Sequence, residues 1–341
     1  MIQSYLLLIA ILFIVFCFGA IIGSFLNVVI LRAFSGESIV LPPSKCPKCQ
    51  NKLKWWHNIP ILSYLLLRGK CYFCHEKISI QYPIIEFVTG LLFVLVFIQY
   101  GIMPETFFAL VIVSLLIVIS VTDIKEQIVF DKHTYALIFV GLVYNFALTA
   151  FIVYNQAFNT ISGFHLTKDF LLNNPLTLSV LGLILGAVIM EIAARIGNLV
   201  AGERAFGEGD TYIAAGLGAA FGWQNVILII ILSVIFQVIC LLPLFIKKQI
   251  SMKRYSTVIS LLLLLGSIVV FLLLQHKTQL FNNDLILYIS IFVEILLAVI
   301  ACINIIKGLK HKDELTYLPF GPALAFSALL VLLVNISIPL F

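Results

Sequence analysis

The chain has 341 residues, of which 62% are hydrophobic and 11% are charged, and its formal net charge is +5. Soluble domains carry about 25% charged and about 45–50% apolar residues, so this composition excludes an ordinary soluble enzyme, a disordered chain and a nucleic-acid-binding protein. A bilayer core about 30 Å thick is crossed by about 20 apolar residues in a helix. Because the chain holds many apolar runs of this kind, we expect an all-α polytopic integral membrane protein.

Ten apolar runs are predicted to form helices, and one of them is short. The run from Tyr212 to Phe221 is divided from the next only by Gly222-Trp223-Gln224-Asn225. The ten predicted helices lie at about 5–31, 83–100, 104–122, 133–153, 176–195, 211–223, 226–246, 256–275, 285–306 and 318–340.

The distribution of basic residues favours ten spans and predicts their orientation. With ten spans, 19 of the 21 lysines and arginines lie on one side, and only Lys168 and Lys277 lie on the other. If 211–246 formed a single span, more of the basic residues would lie on the second side and this asymmetry would be lost. Since basic loops face the cytoplasm, we expect the N-terminus outside and residues 32–82 in the cytoplasm. The positive charge then reflects orientation and contact with anionic membrane lipid, and it requires no nucleic acid.

Four of the seven cysteines form two pairs in the polar segment 32–82. The pattern Cys-x2-Cys-x21-Cys-x2-Cys, formed by Cys46, Cys49, Cys71 and Cys74, is close to that of a zinc ribbon. Four thiolates leave no open coordination position, so the predicted Zn²⁺ is structural. A segment this short buries little core, and a metal would supply stability that packing does not. The alternative is two unrelated redox or free-thiol pairs.

Two aspartates stand at helix ends on the predicted cytoplasmic side. Asp123 ends the apolar run Val111–Thr122, and Asp210 closes Gly207-Glu208-Gly209-Asp210. A carboxylate at a membrane span is a candidate functional group by default. Two close carboxylates can share one proton while one acts as a base toward water, which is the arrangement in aspartyl proteases. For Asp210 alone, the alternative is a helix N-cap preceded by flexible glycines.

Motifs along most of the chain resemble the type IV prepilin peptidase family, membrane aspartyl peptidases that process type IV pilin and type II secretion pseudopilin precursors. Asp123 matches the first catalytic aspartate, and the Gly-x-Gly-Asp motif ending at Asp210 carries the second. The other matching motifs are Gly23-Ser24-Phe25-Leu26-Asn27-Val28-Val29, Cys46-Pro47-Lys48-Cys49, Trp56-His57-Asn58-Ile59-Pro60-Ile61-Leu62-Ser63-Tyr64, Gly69-Lys70-Cys71 with Cys74, Ile78-Ser79, Tyr82-Pro83 with Glu86, and Pro319-Phe320-Gly321-Pro322 with Leu324-Ala325.

The resemblance implies an inner-membrane enzyme with two reactions on prepilin or pseudopilin precursors. The peptidase is expected to cleave after the glycine that ends a short basic leader, at the cytoplasmic face. Members with all four cysteines usually also N-methylate the new N-terminal residue with S-adenosylmethionine, so a bifunctional leader peptidase and N-methyltransferase is expected here. Gly69 and Lys70, beside the third cysteine, are the candidates for binding the methyl donor.

The expected organisation adds one helical hairpin to about eight family helices. We expect a first transmembrane helix in 1–31, a zinc-ribbon-like segment with the methyltransferase part in 32–82, the peptidase core in 83–246, an extra hairpin with basic loops in 247–312, and the last helix in 313–341. The chain also departs from the family pattern at single positions. Lys125 stands where the family often has a second aspartate, but neither proposed catalytic carboxylate is lost.

Two other function classes remain open on the residues alone. A transporter also places acids and broken helices in the membrane, but its expected repeat symmetry is not found. A non-catalytic assembly factor could keep the same fold. A stripe of small residues also allows two interpretations, close approach of a substrate helix or tight packing among the protein's own helices. These residues are Gly182, Gly186, Gly216 and Gly218.

Overall fold

The computed structural model describes residues 2–41, 43–159, 172–201, 207–251 and 319–334, with scattered single positions between 255 and 297. Within these residues the chain is helical, and its only strand-like pairing is two isolated β-bridges. The predicted all-α class is therefore confirmed. The chain divides into two compact units, one of Met1–Ile196, Ala205–Val234 and Pro319–Phe341, and one of Gly197–Arg204 and Ile235–Leu318.

The described helices follow the predicted apolar runs closely. A 3-10 helix, Trp55–Asn58, precedes the short helix of the polar segment. The α-helices are α1 (Ile2–Ser35), α2 (Leu62–Leu66), α3 (Gln81–Tyr100), α4 (Pro104–Glu126), α5 (Asp131–Asn159), α6 (Pro175–Ala201), α7 (Glu208–Ser251) and α8 (Gly321–Val334).

Six of these helices are long and apolar enough to cross a membrane, namely α1 and α3 to α7. Helix α8 is equally apolar, but its described part has 14 residues. The predicted helices at 256–275 and 285–306 lie almost wholly outside the described residues, and so does most of the predicted hairpin 247–312. The division of the chain into domains therefore stays a prediction.

Helix α7 contains a break that separates two segments. Its 44 residues would extend about 66 Å as one straight helix, roughly twice the thickness of a bilayer core. Gly222 has φ 78° and ψ 171°, which is not helical. After the break, the Asn225 side-chain amide donates to the Phe221 carbonyl at 2.8 Å. The break falls at the predicted division between 211–223 and 226–246.

Helices α1 and α3 pack with almost no space between their backbones. A Cβ atom at Gly23 would lie 2.8 Å from the Cα of Glu86. The Asn27 side-chain amide donates to the carbonyl of Tyr82 at 3.2 Å. Helix α1 leads into the polar segment and α3 leads out of it. These contacts therefore hold the two ends of the segment close together.

The first segment of α7 is buried among other helices, which explains why its run is short for a span. Residues 213–221 are all buried. A Cβ atom at Gly182 of α6 would clash with the Gly218 carbonyl oxygen, and one at Gly218 would clash with that of Gly182. A Cβ atom at Gly186 would likewise clash with the Ala214 backbone, and Gly216 packs on Leu137. The small residues thus serve packing among the protein's own helices.

We expect Gly182→Ala and Gly218→Ala each to destabilise the helical bundle. The added methyl group has no room, and overpacking of this kind lowers the free energy of unfolding by about 1–3 kcal/mol. The control is Ile184→Ala, because Ile184 is half exposed on the same helix. Thermal unfolding of the purified protein should show a lower Tm for both glycine variants than for the control. Equal Tm values would contradict the close packing of α6 on α7.

Candidate active site and metal centre

Asp123 is a buried carboxylate in the last turns of α4, with 5% of its surface exposed. Its Oδ2 atom accepts a hydrogen bond from the backbone N–H of Gly321 at 3.0 Å. Helix α4 stops just after it, since Gln127 takes a left-handed φ of 55° and donates its N–H to the Asp123 carbonyl at 2.9 Å. Asp123 is therefore held at a helix end by a residue 198 positions away in the chain.

Asp210 is similarly buried, with 7% of its surface exposed, in the first turn of α7. Its Oδ2 accepts the backbone N–H of Gly207 at 3.1 Å, and its own N–H donates to the Gly207 carbonyl. An N-cap side chain accepts from residues that follow it, whereas Asp210 reaches back, as the N3 residue of a capping box does. The alternative of a simple N-cap is therefore wrong for Asp210.

Two close approaches bring the carboxylates together. A Cβ atom at Gly209 would lie 2.5 Å from the Cβ of Val129, so the start of α7 packs directly on the loop that follows α4. A Cβ atom at Gly321 would lie 2.5 Å from Oδ2 of Asp123 and 3.2 Å from Cδ1 of Ile213. Ile213 lies one turn beyond Asp210 in α7, so Gly321 adjoins both aspartate-bearing segments. The end of α4 and the starts of α7 and α8 therefore meet at one site.

The start of α8 contributes a polar environment to this site. Backbone N–H groups in the first turn of a helix lack partners within that helix, and the aligned peptide dipoles place partial positive charge there. Gly321 is the first residue of α8, and its N–H is the group bound to Asp123. The arrangement aims fixed dipoles at a buried carboxylate, which is how enzymes stabilise charge in sites that exclude bulk water.

The four paired cysteines form one cluster. Sγ atoms of Cys46, Cys49, Cys71 and Cys74 all lie within 4.8 Å of one another. The Cys46 and Cys74 sulfur atoms are 3.8 Å apart, which is about the edge of a tetrahedron with zinc–sulfur bonds of about 2.3 Å. Among the described residues, this cluster could hold a metal ion, and the residues fit one with tetrahedral thiolate coordination.

The cluster is built from two copies of the same turn, 25 residues apart in the sequence. In each turn the residue after the second cysteine has a φ of 57°, and its N–H donates to the carbonyl of the first cysteine. In each turn the first cysteine also donates its N–H to the residue five positions later. Matching β-bridges, Lys45 with Lys52 and Lys70 with Lys77, close the two turns.

The backbone of the second turn prepares its thiol for a metal. Hydrogen bonds, first from the backbone N–H of Cys74 and then from that of Phe73, lower the pKa of Cys71 to about 7, against the desolvation that raises it. Metals bind the thiolate rather than the thiol. The turn therefore favours the ligand form of Cys71 near neutral pH. In the same turn the backbone N–H of Glu76 lowers the pKa of Cys74, but desolvation and the neighbouring thiols raise it to about 11.

Gly69 and Lys70 lie at the entrance to this second turn. Gly69 has a φ of 67°, and a Cβ atom there would lie 2.9 Å from the Tyr64 hydroxyl oxygen. Its carbonyl accepts the Ile78 N–H at 2.8 Å. The turn itself thus explains a glycine at this position, and Lys70 occupies the place of Lys45 in the first turn. Their predicted role in binding a methyl donor stays a prediction.

Gly321 and Glu86 lie in motifs that carry the family resemblance, and the sequence alone indicates the partner of neither. Glu86 is buried in α3, and its Oε2 accepts the backbone N–H of Ile61 at 2.7 Å. The signal in the sequence is a carboxylate near the start of the apolar run 83–100, and a Gly-Pro pair near the start of the run 318–340.

Comparison with known proteins gives a consistent family. Residues 17–100 match the model of the bacterial peptidase A24 N-terminal domain, and residues 110–242 match that of the type IV leader peptidase family. No solved structure matches the chain.

Curated relatives match the same part of the chain. A prepilin leader peptidase/N-methyltransferase of Neisseria gonorrhoeae is 36% identical over 63% of this chain and 76% of its own length. One of Myxococcus xanthus is 35% identical over 62% of this chain and 57% of its own length. A type 4 prepilin-like proteins leader peptide-processing enzyme of Escherichia coli is 34% identical over 60% of this chain and 74% of its own length. By these matches, the chain belongs to the type IV leader peptidase family.

Proposed function

We propose that this protein removes the leader peptide from type IV prepilins or type II secretion pseudopilins and then N-methylates the new N-terminal residue. The observation that carries the peptidase part is that Asp123 and Asp210 are both buried at the meeting point of three helix ends. The relatives' names support both reactions.

The pair would act as an aspartyl dyad. One carboxylate takes a proton from the attacking water while the other donates a proton to the carbonyl oxygen of the scissile bond. Collapse of the resulting gem-diol expels the new amine of the mature pilin, which takes up a proton. Which aspartate acts as the base is left open, because interacting carboxylates titrate as a pair.

The reaction takes place at the cytoplasmic face in this proposal. The six apolar helices and the family identify a multi-pass inner-membrane protein. The concentration of basic residues in alternate loops favours residues 32–82 in the cytoplasm and the N-terminus outside. Both aspartates stand at helix ends on the side where 32–82 is attached, so a basic leader there would meet the dyad at the membrane edge.

The methyltransferase part is assigned to residues 32–82. S-adenosylmethionine would supply the methyl group transferred to the free amine. Zn²⁺ in the four-cysteine cluster would be structural, because four thiolates leave no position for substrate. The cluster residues would hold the two turns together, and Gly69 and Lys70 would bind the methyl donor.

We expect Asp123→Asn and Asp210→Asn each to abolish leader cleavage, because an amide can neither accept nor share the catalytic proton. Matched controls are Glu126→Gln and Glu208→Gln, which lie in the same helix ends but are exposed. The measurement is cleavage of a prepilin peptide by the purified protein in lipid. Cleavage by either aspartate variant at the rate of its control would show that the two-aspartate mechanism is wrong.

We expect Gly321→Ala to lower kcat for cleavage by about 100-fold, the order of loss that a displacement of about 1 Å can cause. The added methyl group would push the start of α8 off the Asp123 carboxylate. The control is Val334→Ala, at an exposed position of the same helix. An unchanged kcat in Gly321→Ala would show that α8 does not position the carboxylate.

Replacing Cys71 by Ser should reduce metal content and methylation more than cleavage. The metal's binding energy is also the folding energy of this segment, whereas the helical bundle has its own packing. Cys17→Ser, in an apolar helix, is the control. Metal analysis and the two activity assays are made on the same preparations. Full metal occupancy in the Cys71→Ser protein would contradict the four-cysteine site.

Order of reaction separates the two activities further. Asp210→Asn should block methylation of intact precursor, because the amine to be methylated does not yet exist. The same protein should methylate a precleaved pilin peptide. If it does not, while its metal content is normal, then either the sites are shared or this member does not methylate.

A further inference from the structure

Helix α2 exposes three leucine side chains although it lies outside the six apolar spans. Leu62, Leu65 and Leu66 are 50%, 65% and 73% exposed, and we call them the α2 leucine surface. Burying a leucine side chain is worth about 1.5–3 kcal/mol relative to leaving it in water. Three exposed leucines in a helix of five residues therefore indicate that something apolar covers this surface.

The depth of α2 follows from its hydrogen bond to α3. The N–H of Ile61, the residue before α2, donates to Oε2 of Glu86 at 2.7 Å. Glu86 lies five residues into α3 (Gln81–Tyr100), about 7–8 Å along the helix axis. The 20 residues of α3 extend about 30 Å, which is the thickness of the hydrocarbon core. Helix α2 therefore begins beside the first two turns of α3 and not beyond the start of that helix.

The backbone at Ile61 shows that this depth is imposed. Ile61 has φ 63° and ψ −52°, and a positive φ is a genuine outlier for a β-branched residue. Such strain persists only where the surroundings fix it. The Glu86 carboxylate is buried, so releasing Ile61 would leave that carboxylate without this hydrogen bond. The hydrogen bond therefore fixes Ile61, at the start of α2, to Glu86 of α3.

The neighbours of α2 have the chemistry of a membrane interface. The 3-10 helix that contacts α2 carries Trp55 and Trp56, which are 75% and 44% exposed. Tryptophan is enriched where lipid meets water. Between the first and third helices the chain holds seven basic residues against Glu37 and Glu76, a charge that complements anionic lipid headgroups. The basic residues are Lys45, Lys48, Lys52, Lys54, Arg68, Lys70 and Lys77.

We propose that the α2 leucine surface is inserted among the phospholipids at the boundary of headgroups and acyl chains, so that the metal-binding segment lies on the bilayer. Interfacial segments bury apolar side chains about 5–10 Å deep in this way. Tethering at both ends by α1 and α3, and at its middle by Glu86, keeps the surface at that depth. The inference goes beyond the proposed function and does not depend on it.

Depth-dependent fluorescence quenching tests this contact on the full chain. The three native tryptophans are replaced (Trp55→Phe, Trp56→Phe, Trp223→Phe), and Leu66→Trp supplies the reporter. The protein is placed in nanodiscs of phosphatidylethanolamine and phosphatidylglycerol whose acyl chains are brominated near the headgroup or near the chain end. Leu91→Trp, half exposed in the middle of α3, is the control reporter.

The Leu66→Trp reporter should be quenched about twofold or more by shallow bromine and less by deep bromine, as expected for an interfacial residue. The Leu91→Trp reporter should show the reverse order. Emission typical of an indole in water would overturn the proposal. Blue-shifted emission without quenching would also overturn it, because protein rather than lipid would then cover the surface. Leu65→Trp is the second reporter, used if metal content shows that Leu66→Trp disturbs the segment.

Discussion

A carboxylate buried among apolar helices needs a hydrogen-bond donor, and the backbone N–H of Gly321 supplies one to Asp123 at 3.0 Å. A buried charged group without such a partner destabilises the fold by more than any single packing contact stabilises it. This bond therefore joins α8 to the end of α4. It also requires glycine at position 321, because a Cβ atom there would lie 2.5 Å from the same carboxylate oxygen. The position of Asp210 also depends on this contact, because α8 packs on Ile213, which lies one turn beyond Asp210 in α7.

Close backbone contacts give the site its rigidity. In lipid the hydrophobic effect does not drive helices together, so small residues and interhelical hydrogen bonds do most of that work. Near the dyad, Gly209 contacts Val129, and farther along α7, Gly141 of α5 lies against the backbone at Ala219. The Asn145 amide adds a hydrogen bond to the Ala219 carbonyl at 3.0 Å. A proton-transfer site tolerates little displacement, and backbone-to-backbone contacts leave less freedom than contacts between long side chains.

Local patterns in the sequence predicted the helices, the cysteine cluster and the two aspartates, because each depends on spacing within one segment. The partners of Gly321 and Glu86 lie in distant segments of the chain, so no local pattern identifies them. The repeated turn is an intermediate case: Lys45 and Lys52 flank the first cysteine pair as Lys70 and Lys77 flank the second. The repeat is visible in the sequence, but only the hydrogen bonds show that both segments form the same turn. The exposure of the α2 leucines could not be predicted, since an apolar run in a polar segment usually indicates a small core.

The two parts of the chain are stabilised differently, and this bears on how one protein can carry out both proposed reactions. The bundle is held by backbone packing, whereas the polar segment relies on a four-cysteine cluster and is joined to the bundle through Asn27 and Glu86. In the proposed reaction the new amine is formed at the dyad, at the cytoplasmic face of the membrane. A methyltransferase segment that extended freely into the cytoplasm would seldom meet that amine. The hydrogen bond from Ile61 to Glu86 instead fixes the start of α2 beside the first turns of α3, so in the proposed reaction the segment would stay close to the membrane face where the amine is released.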